Sequence, residues 1–301
     1  MSSQIVILAA LDGIAYGALV FLVAVGLTLV FGVMRILNVA HGSFYALGAY
    51  AAASLGLVLK TYGLSPWLSY PLFLFAAIGV GMIVGGLMER FLLRRIYGYE
   101  NSLQLLVTFA VFMILDNAQR LIWGVQPYFH SDPLRLLGNV RLAGITYTAY
   151  QVVFLPLVAL AVLFGLRWFL RNTLAGSVIV AVTEDREAAT AIGIDANRTF
   201  LVTFMIGASL AALGGALASP TTSVLPGMGA DMIVLSFAVA ATAGLGQIGG
   251  TAIAALLIGL GRSFAVFLYP ELEVLVPYLI MVLVLLIRPQ GLFGQAAARK
   301  I

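Results

Sequence analysis

No cysteine occurs in the chain, so disulfides, thiolate metal sites and cysteine nucleophiles are all excluded. Charge is equally scarce. Asp, Glu, Lys and Arg make up 9% of the 301 residues, whereas a soluble domain carries about 25%. Its only lysines, Lys60 and Lys300, lie at the ends of apolar runs, so neither can serve as a P-loop phosphate ligand, and no GxxxxGK[ST] segment is present. The chain therefore has no ATP-hydrolysing motif of its own. Its two histidines, His41 and His130, are far apart, and neither HExxH nor GxSxG occurs. No catalytic set is legible, and neither a cofactor nor a metal is expected.

What the chain does have is apolar sequence. Hydrophobic residues account for 62% and mean hydropathy is +1.08, which indicates an integral membrane protein. The apolar runs are about 20 residues long, enough for a helix to cross ~30 Å of hydrocarbon. They do not alternate as barrel strands would. The fold class expected is all-α, a polytopic transmembrane bundle of eight or nine spans forming a single domain over 1–301. Candidate spans are 5–33, 39–59, 68–93, 103–123, 148–170, 200–219, 231–248, 251–269 and 273–287. The seventh and eighth are short, Gly-interrupted and joined without a real loop, so one of them is a candidate re-entrant or broken segment. Met1-Ser2-Ser3-Gln4 has no basic n-region, and the first run is about twice a signal peptide's apolar core, so it reads as a retained helix.

Basic residues flanking the spans set the orientation. Arg90, Arg94, Arg95, Arg167, Arg171, Arg186, Arg198, Arg288, Arg299 and Lys300 fall on one side, and Lys60, Arg120, Arg135 and Arg141 on the other. The richer side is cytoplasmic. This puts the 171–199 loop and the C-terminus inside, and the 124–147 and 220–230 loops outside. The net charge of +4 follows from this asymmetry and requires no nucleic-acid partner. The outer 124–147 loop, with Pro127, Pro133, Gly138 and Gly144, suggests a compact cap. The inner loop holds the one sizeable island of mixed charge, where Glu184, Asp185, Arg186, Glu187, Ala188 and Ala189 predict a short surface helix over 184–191. Thr183 is its candidate N-cap and Gly193 its terminator. It is the natural place for a soluble partner.

Two further segments break the apolar pattern. In the first, Thr28, Gly32, Arg35, Asn38, His41 and Gly42 place polar and small residues inside a membrane run. Polar groups there are costly unless they face a cavity, a partner or the interface. A functional break and a tight cytoplasmic turn over Arg35 to His41, with His41 as a helix-start residue bonding backbone, both remain open. The second is Gly244, Gly246, Gln247, Gly249 and Gly250, where non-helical backbone at membrane depth would have to line a path, or else form a hairpin at the inner face. Gly13 with Gly17, and Gly81 with Gly85, carry the spacing of close helix packing. Asp116 and Arg120 read as an intrahelical pair. Arg262, inside an apolar run, either pairs with a neighbour or shows that the eighth span begins later than 251. Asp12, Asp116 and Asp231 look too scattered and too near the span ends to form an intramembrane catalytic pair. A transport subunit is favoured over an intramembrane enzyme, and over a self-contained secondary transporter or channel.

These residues resemble the permease subunits of bacterial branched-chain amino-acid ABC importers of the LivH type. The run Gly26 to Tyr50, with its Asn38-Val-Ala-His-Gly42 core, is similar to the family's first-helix signature. Thr183 to Asp195 resembles the loop that docks into the ATPase subunit. Ala243 to Thr251 and Arg288-Pro-Gln-Gly-Leu-Phe-Gly294 resemble its Gly-rich turn and C-terminal signature, with Gln247 departing from the small or charged residues common there. The resemblance implies a bundle of about eight helices in the bilayer of a bacterial inner membrane. It also implies a second permease, two cytoplasmic ATPases, a periplasmic solute-binding protein, and Leu, Ile or Val as cargo. Close relatives that move urea, short amides or other amino acids keep the substrate open.

Overall fold

The computed structural model describes residues 3–142 and 144–294. Met1 and Ser2, and the Arg299 and Lys300 used for orientation, lie outside the described residues. The helices are α1 (Ser3–Met34), α2 (His41–Thr61), α3 (Pro66–Ile96), α4 (Asn101–Trp123), α5 (Asp132–Leu136), α6 (Tyr150–Asn172), α7 (Leu174–Glu184), α8 (Arg186–Ala191), α9 (Ala196–Ala218), α10 (Met228–Ala243), α11 (Ile248–Leu268) and α12 (Leu275–Ile287). The fold is an all-α polytopic bundle. Among the described residues, seven helices are long and apolar enough to cross a membrane: α1, α2, α3, α4, α6, α9 and α11. Every apolar run in the sequence is helical, but α10 has 16 residues and α12 has 13. At 1.5 Å per residue these reach only about 24 and 20 Å, short of a full crossing.

α1 is the axis. Almost all of its side chains from Gly17 to Val30 are buried, because α9, α10 and α11 surround it. Small residues allow that density. A Cβ on Gly13 would lie 2.8 Å from the Leu260 Cα, and one on Gly17 would lie 3.0 Å from the Ala255 carbonyl oxygen. Toward the other end of α1, the Thr28 hydroxyl meets the Thr251 hydroxyl at 3.1 Å, and Gly32 abuts Gly246. The pairing numbers run in opposite senses, so α1 and α11 are antiparallel. Gly81 and Gly85 on α3 seat likewise against Ser209 and Ala208 of α9. Lipid offers no hydrophobic drive for helix association, so this van der Waals fit is what holds the spans together.

Between α1 and α2 the chain turns at Arg35 and runs back into the bundle, and His41 starts α2 as a residue bonding backbone. Arg35, the one non-glycine residue with positive φ among those described, at 57°, ends α1 and reverses the chain. Residues 36–39 then run back along α4, where the Val39 amide donates to the Thr108 hydroxyl and Thr108 in turn donates to the Leu37 carbonyl. α2 thus begins inside the bundle. The His41 ring bonds the Val23 carbonyl at 3.1 Å, and Gly26 touches both His41 and Gly207. Gly207 is the midpoint of α9, so the first turn of α2 lies at mid-depth.

A second re-entry corrects the sequence expectation that 220–230 is simply an outer loop. From the outer end of α9 the chain folds back down beside α2, with Val224 buried against Ala49, Tyr50 and Ala53 and bridged to Tyr128. α10 then starts where Gly229 packs on Gly42, again at mid-depth. Periodicity could not show this, since residues 219–227 carry no charge or long polar run to distinguish a descending segment from an external turn.

The outer cap is compact, as expected. It contains α5 and a hairpin of β1 (Asn139–Leu142) with β2 (Ile145–Thr148) in the register Asn139 to Thr148. His130 is buried there, 3.5 Å from the Ser69 hydroxyl and packed on Gly56. Burial chiefly, and Lys60 in addition, push its pKa below the usual 6.5, while Asp132 opposes the shift. A depressed histidine pKa means that the unfolded chain binds the extra proton more readily. Stability should therefore fall as pH drops below about 7 toward the folded value, by at most about 1.4 kcal/mol per pH unit from this one group. Thermal unfolding in detergent at pH 7 and pH 5 checks this: His130→Gln should reduce the difference between the two.

Candidate functional site

The residues singled out in the first break converge. Asn38 and His41 are fully buried and Ser43 nearly so. Among the described residues, both side-chain polar atoms of Asn38, the His41 Nδ1 and the Ser43 hydroxyl have no protein partner. Each such buried group costs roughly 1–3 kcal/mol unless satisfied, so the cluster is not there for stability alone. Two more unpartnered hydroxyls flank it, which the sequence did not single out. Thr203 on α9 is one turn from Gly207, and Ser236 on α10 is one turn from Ile233, which touches Gly42. The amide-rich first turns of α2 and α10 cross beside this cluster. Thr28 is also fully buried and clamps α1 to α11 through Thr251.

The second break is a hairpin at the inner face. Gly244 (φ 99°) and Gly246 (φ 89°) adopt left-handed conformations that an L side chain resists, and they turn α10 into α11. The segment after α12 seals this turn: the Leu292 and Phe293 amides donate to the Thr242 and Ala243 carbonyls at 2.8 and 3.0 Å, and the Phe293 ring covers Gly250. Gly249 stands apart, exposed and with nothing within 4 Å of a Cβ there. The two breaks meet in a cavity of about 780 Å³ lined by Gly32, Arg35, Glu184, Gly246, Gln247 and Gln290. Gly32, Arg35, Gly246 and Gln247 were singled out from sequence as path residues, and Glu184 as a docking residue. The structure brings them together.

The inner loop differs from expectation in detail. Its first part is not surface chain but the apolar helix α7, capped by Thr173 and pressed onto α6 where Gly176 meets the Phe169 carbonyl. The Thr183 hydroxyl donates back to Ile179 within α7, so it is not the N-cap of the surface helix. Asp185 is, with its carboxylate accepting from the Ala188 amide at 3.0 Å. Consequently α8 spans Arg186–Ala191, and Glu184 belongs to α7. Gly193 (φ 91°) ends α8 as expected. Glu184, Asp185, Arg186, Glu187 and Ala188 are exposed, whereas Ala189 is 3% exposed and faces the protein's own core. The Arg186 guanidinium lies over the Phe200 ring at 5.0 Å, fixing α8 against α9. Elsewhere, Arg120 pairs with Asp116 at 2.9 Å. Arg262 pairs with Glu273 and stacks 4.0 Å from the centre of the Tyr16 ring. Among the described residues no cluster of His, Asp or Glu could hold a metal ion.

A many-helix membrane bundle broken at mid-depth, with a polar inner cavity beside an exposed, rigidly capped helix, defines a membrane transport component. A family profile described as the permease component of branched-chain amino acid transport systems matches residues 9–285, and the chain belongs to that family. Over 301 residues it is 29% identical to the high-affinity branched-chain amino acid transport system permease protein BraD of Pseudomonas aeruginosa, covering 96% of each chain. It is 27% identical to the corresponding LivH protein of Escherichia coli K12, again covering 96% of each. The LivM permease protein of the same bacterium is also similar, at 27% identity over 90% of this chain and 67% of LivM. No solved structure matches.

Proposed function

We propose that this chain is one permease subunit of an ATP-binding-cassette importer in a bacterial inner membrane. With a second, related permease it forms the path for leucine, isoleucine and valine. The observation that carries this is the pair of re-entrant helix starts at mid-depth above the polar inner cavity, in a family described as the permease component of branched-chain amino acid transport systems. Half-helices that begin inside the membrane and backbone that leaves helical geometry there are the usual means of lining a translocation path. The similarity to LivM as well as LivH supports a two-permease assembly. Two cytoplasmic ATPases supply the energy this chain has no motif to provide, docking on α8. A periplasmic solute-binding protein delivers the cargo to the outer face.

The break at Arg35–Gly42 is the moving element and the cavity is its inner mouth. Single cysteines can be introduced cleanly into this cysteine-free chain. In the resting complex Gln247→Cys should react with a water-soluble maleimide, whereas Asn38→Cys and Ser43→Cys, being buried, should react at least tenfold more slowly. ATP should raise the rate at the two buried positions. Equal labelling at all three, or rates at Asn38 and Ser43 that ignore ATP, would show that the break is only structural.

A further inference from the structure

Resting on that transport reading, we infer that Asp231 is the group in the membrane path that recognises the ammonium end of an amino-acid cargo. By sequence alone Asp231 looks like a residue near the outer end of a span. The fold places it elsewhere. α10 starts where Gly229 packs on Gly42, level with the middle of α9, and Asp231 is in that first turn. An aspartate at this depth facing hydrocarbon would be expensive, so an ionisable residue here marks a path or a partner. The Asp231 side chain is exposed, and it belongs to none of the three ion pairs among the described residues. Every other acidic group nearby is committed: Glu273 holds Arg262, and Asp12 also lies within the field of Arg262.

The surroundings fit a primary ammonium group better than an anion. α10 packs against α1, α2 and α12, the helices that carry Tyr16, Tyr45 and Tyr278, and a tyrosine hydroxyl oxygen can accept from an ammonium group that a carboxylate neutralises. Tyr16 also lines an outer cavity of about 260 Å³ together with Asp12, Thr221, Thr222 and Arg262. In the part of the bundle around Tyr16, three carboxylates, Asp12, Asp231 and Glu273, stand against the one guanidinium of Arg262. Such an excess raises the local concentration of cationic groups. Inward of Asp231, the same face of α10 continues through the exposed Val234 to the half-buried Ala241, which with Leu245 just past the end of the helix lines the inner cavity. A zwitterion with an apolar side chain would meet first a carboxylate and then an oily wall.

The test uses the assembled transporter in proteoliposomes, with binding protein and ATP, measuring labelled leucine uptake and ATPase rate together. Asp231→Asn should lower uptake at least tenfold while the complex still assembles and the binding protein still stimulates ATPase. Asp231→Cys should be equally impaired. It should recover severalfold on reaction with an anionic methanethiosulfonate and not with a cationic one, the unaltered complex serving as control for cysteines in the partner subunits. Recovery that depends on the sign of the charge is not expected from a merely structural residue. Uptake by Asp231→Asn within twofold of the unaltered complex, recovery with either reagent alike, or loss of the second permease on purification would overturn the inference. Failure of the unaltered complex to take up leucine at all would overturn the transport reading itself, and this inference with it.

Discussion

Ala188→Trp should abolish coupling: in the assembled complex, both binding-protein-stimulated ATPase and leucine uptake should fall by an order of magnitude or more, while the chain still inserts and folds. Ala188 is exposed on a six-residue helix that Asp185 caps and Gly193 ends, so an indole there projects into whatever docks on α8. Glu187→Lys should act in the same direction by reversing an exposed charge, because unlike partners across an interface select for orientation. The neighbouring substitution makes the contrast. Ala189 is packed inside, so Ala189→Trp overfills the chain's own core at a cost of roughly 1–3 kcal/mol. It should show as lowered yield and thermal stability before any question of coupling arises. Normal stimulated ATPase and uptake in both Ala188→Trp and Glu187→Lys would remove α8 from the mechanism.

Gly42→Val should be the most damaging single change in the membrane region. A Cβ at Gly42 would run into the Gly229 carbonyl and come within 2.8 Å of the Ile233 Cβ. Both obstacles are at or next to the backbone of α10, so no rotamer change relieves them, and the two half-helices must move apart. Overpacking of this kind costs about 1–3 kcal/mol or more. It should also displace Asn38 and His41 from their level beside α9. Gly165→Ala provides the comparison. Gly165 is exposed on α6 with nothing within 4 Å of a Cβ, so alanine there should leave transport unchanged and stabilise the helix by up to about 1 kcal/mol. Thermal unfolding and uptake measured on both variants distinguish them. Wild-type stability and uptake in Gly42→Val would mean that the two helix starts do not meet as described.

Much of this architecture was legible in the residues. All nine apolar runs are helices because length and hydropathy alone decide whether a segment can satisfy its backbone in lipid. The glycine pairs at 13 and 17 and at 81 and 85 lie at helix contacts, since only small side chains admit such approach. The charged island is exposed where α7 passes into α8, because four consecutive charged residues cannot be buried without partners. The Asn38-His41 segment, with its polar groups inside an apolar run, was rightly marked as costly. The family resemblance read from the first-helix, Gly-rich and C-terminal motifs also agrees with the profile match over 9–285.

Depth, facing and partnership were decided only in three dimensions. A helical pattern gives the face of a residue within its own helix but not the level at which that helix begins. Thus the descent of residues 219–227 beside α2 turned Asp231 from a residue near a span end into a mid-depth one. It was also tertiary packing that placed His41 against the carbonyl of Val23 and made the Gly244–Gly246 turn a hairpin sealed by Phe293. Ala188 and Ala189 are identical in composition and differ only in which side of a six-residue helix meets the core. Composition and motif fixed what kind of molecule this is, because they set what each segment can tolerate in lipid. Which polar groups are buried together, and which are left open to a path, depends on long-range contacts that no local pattern encodes.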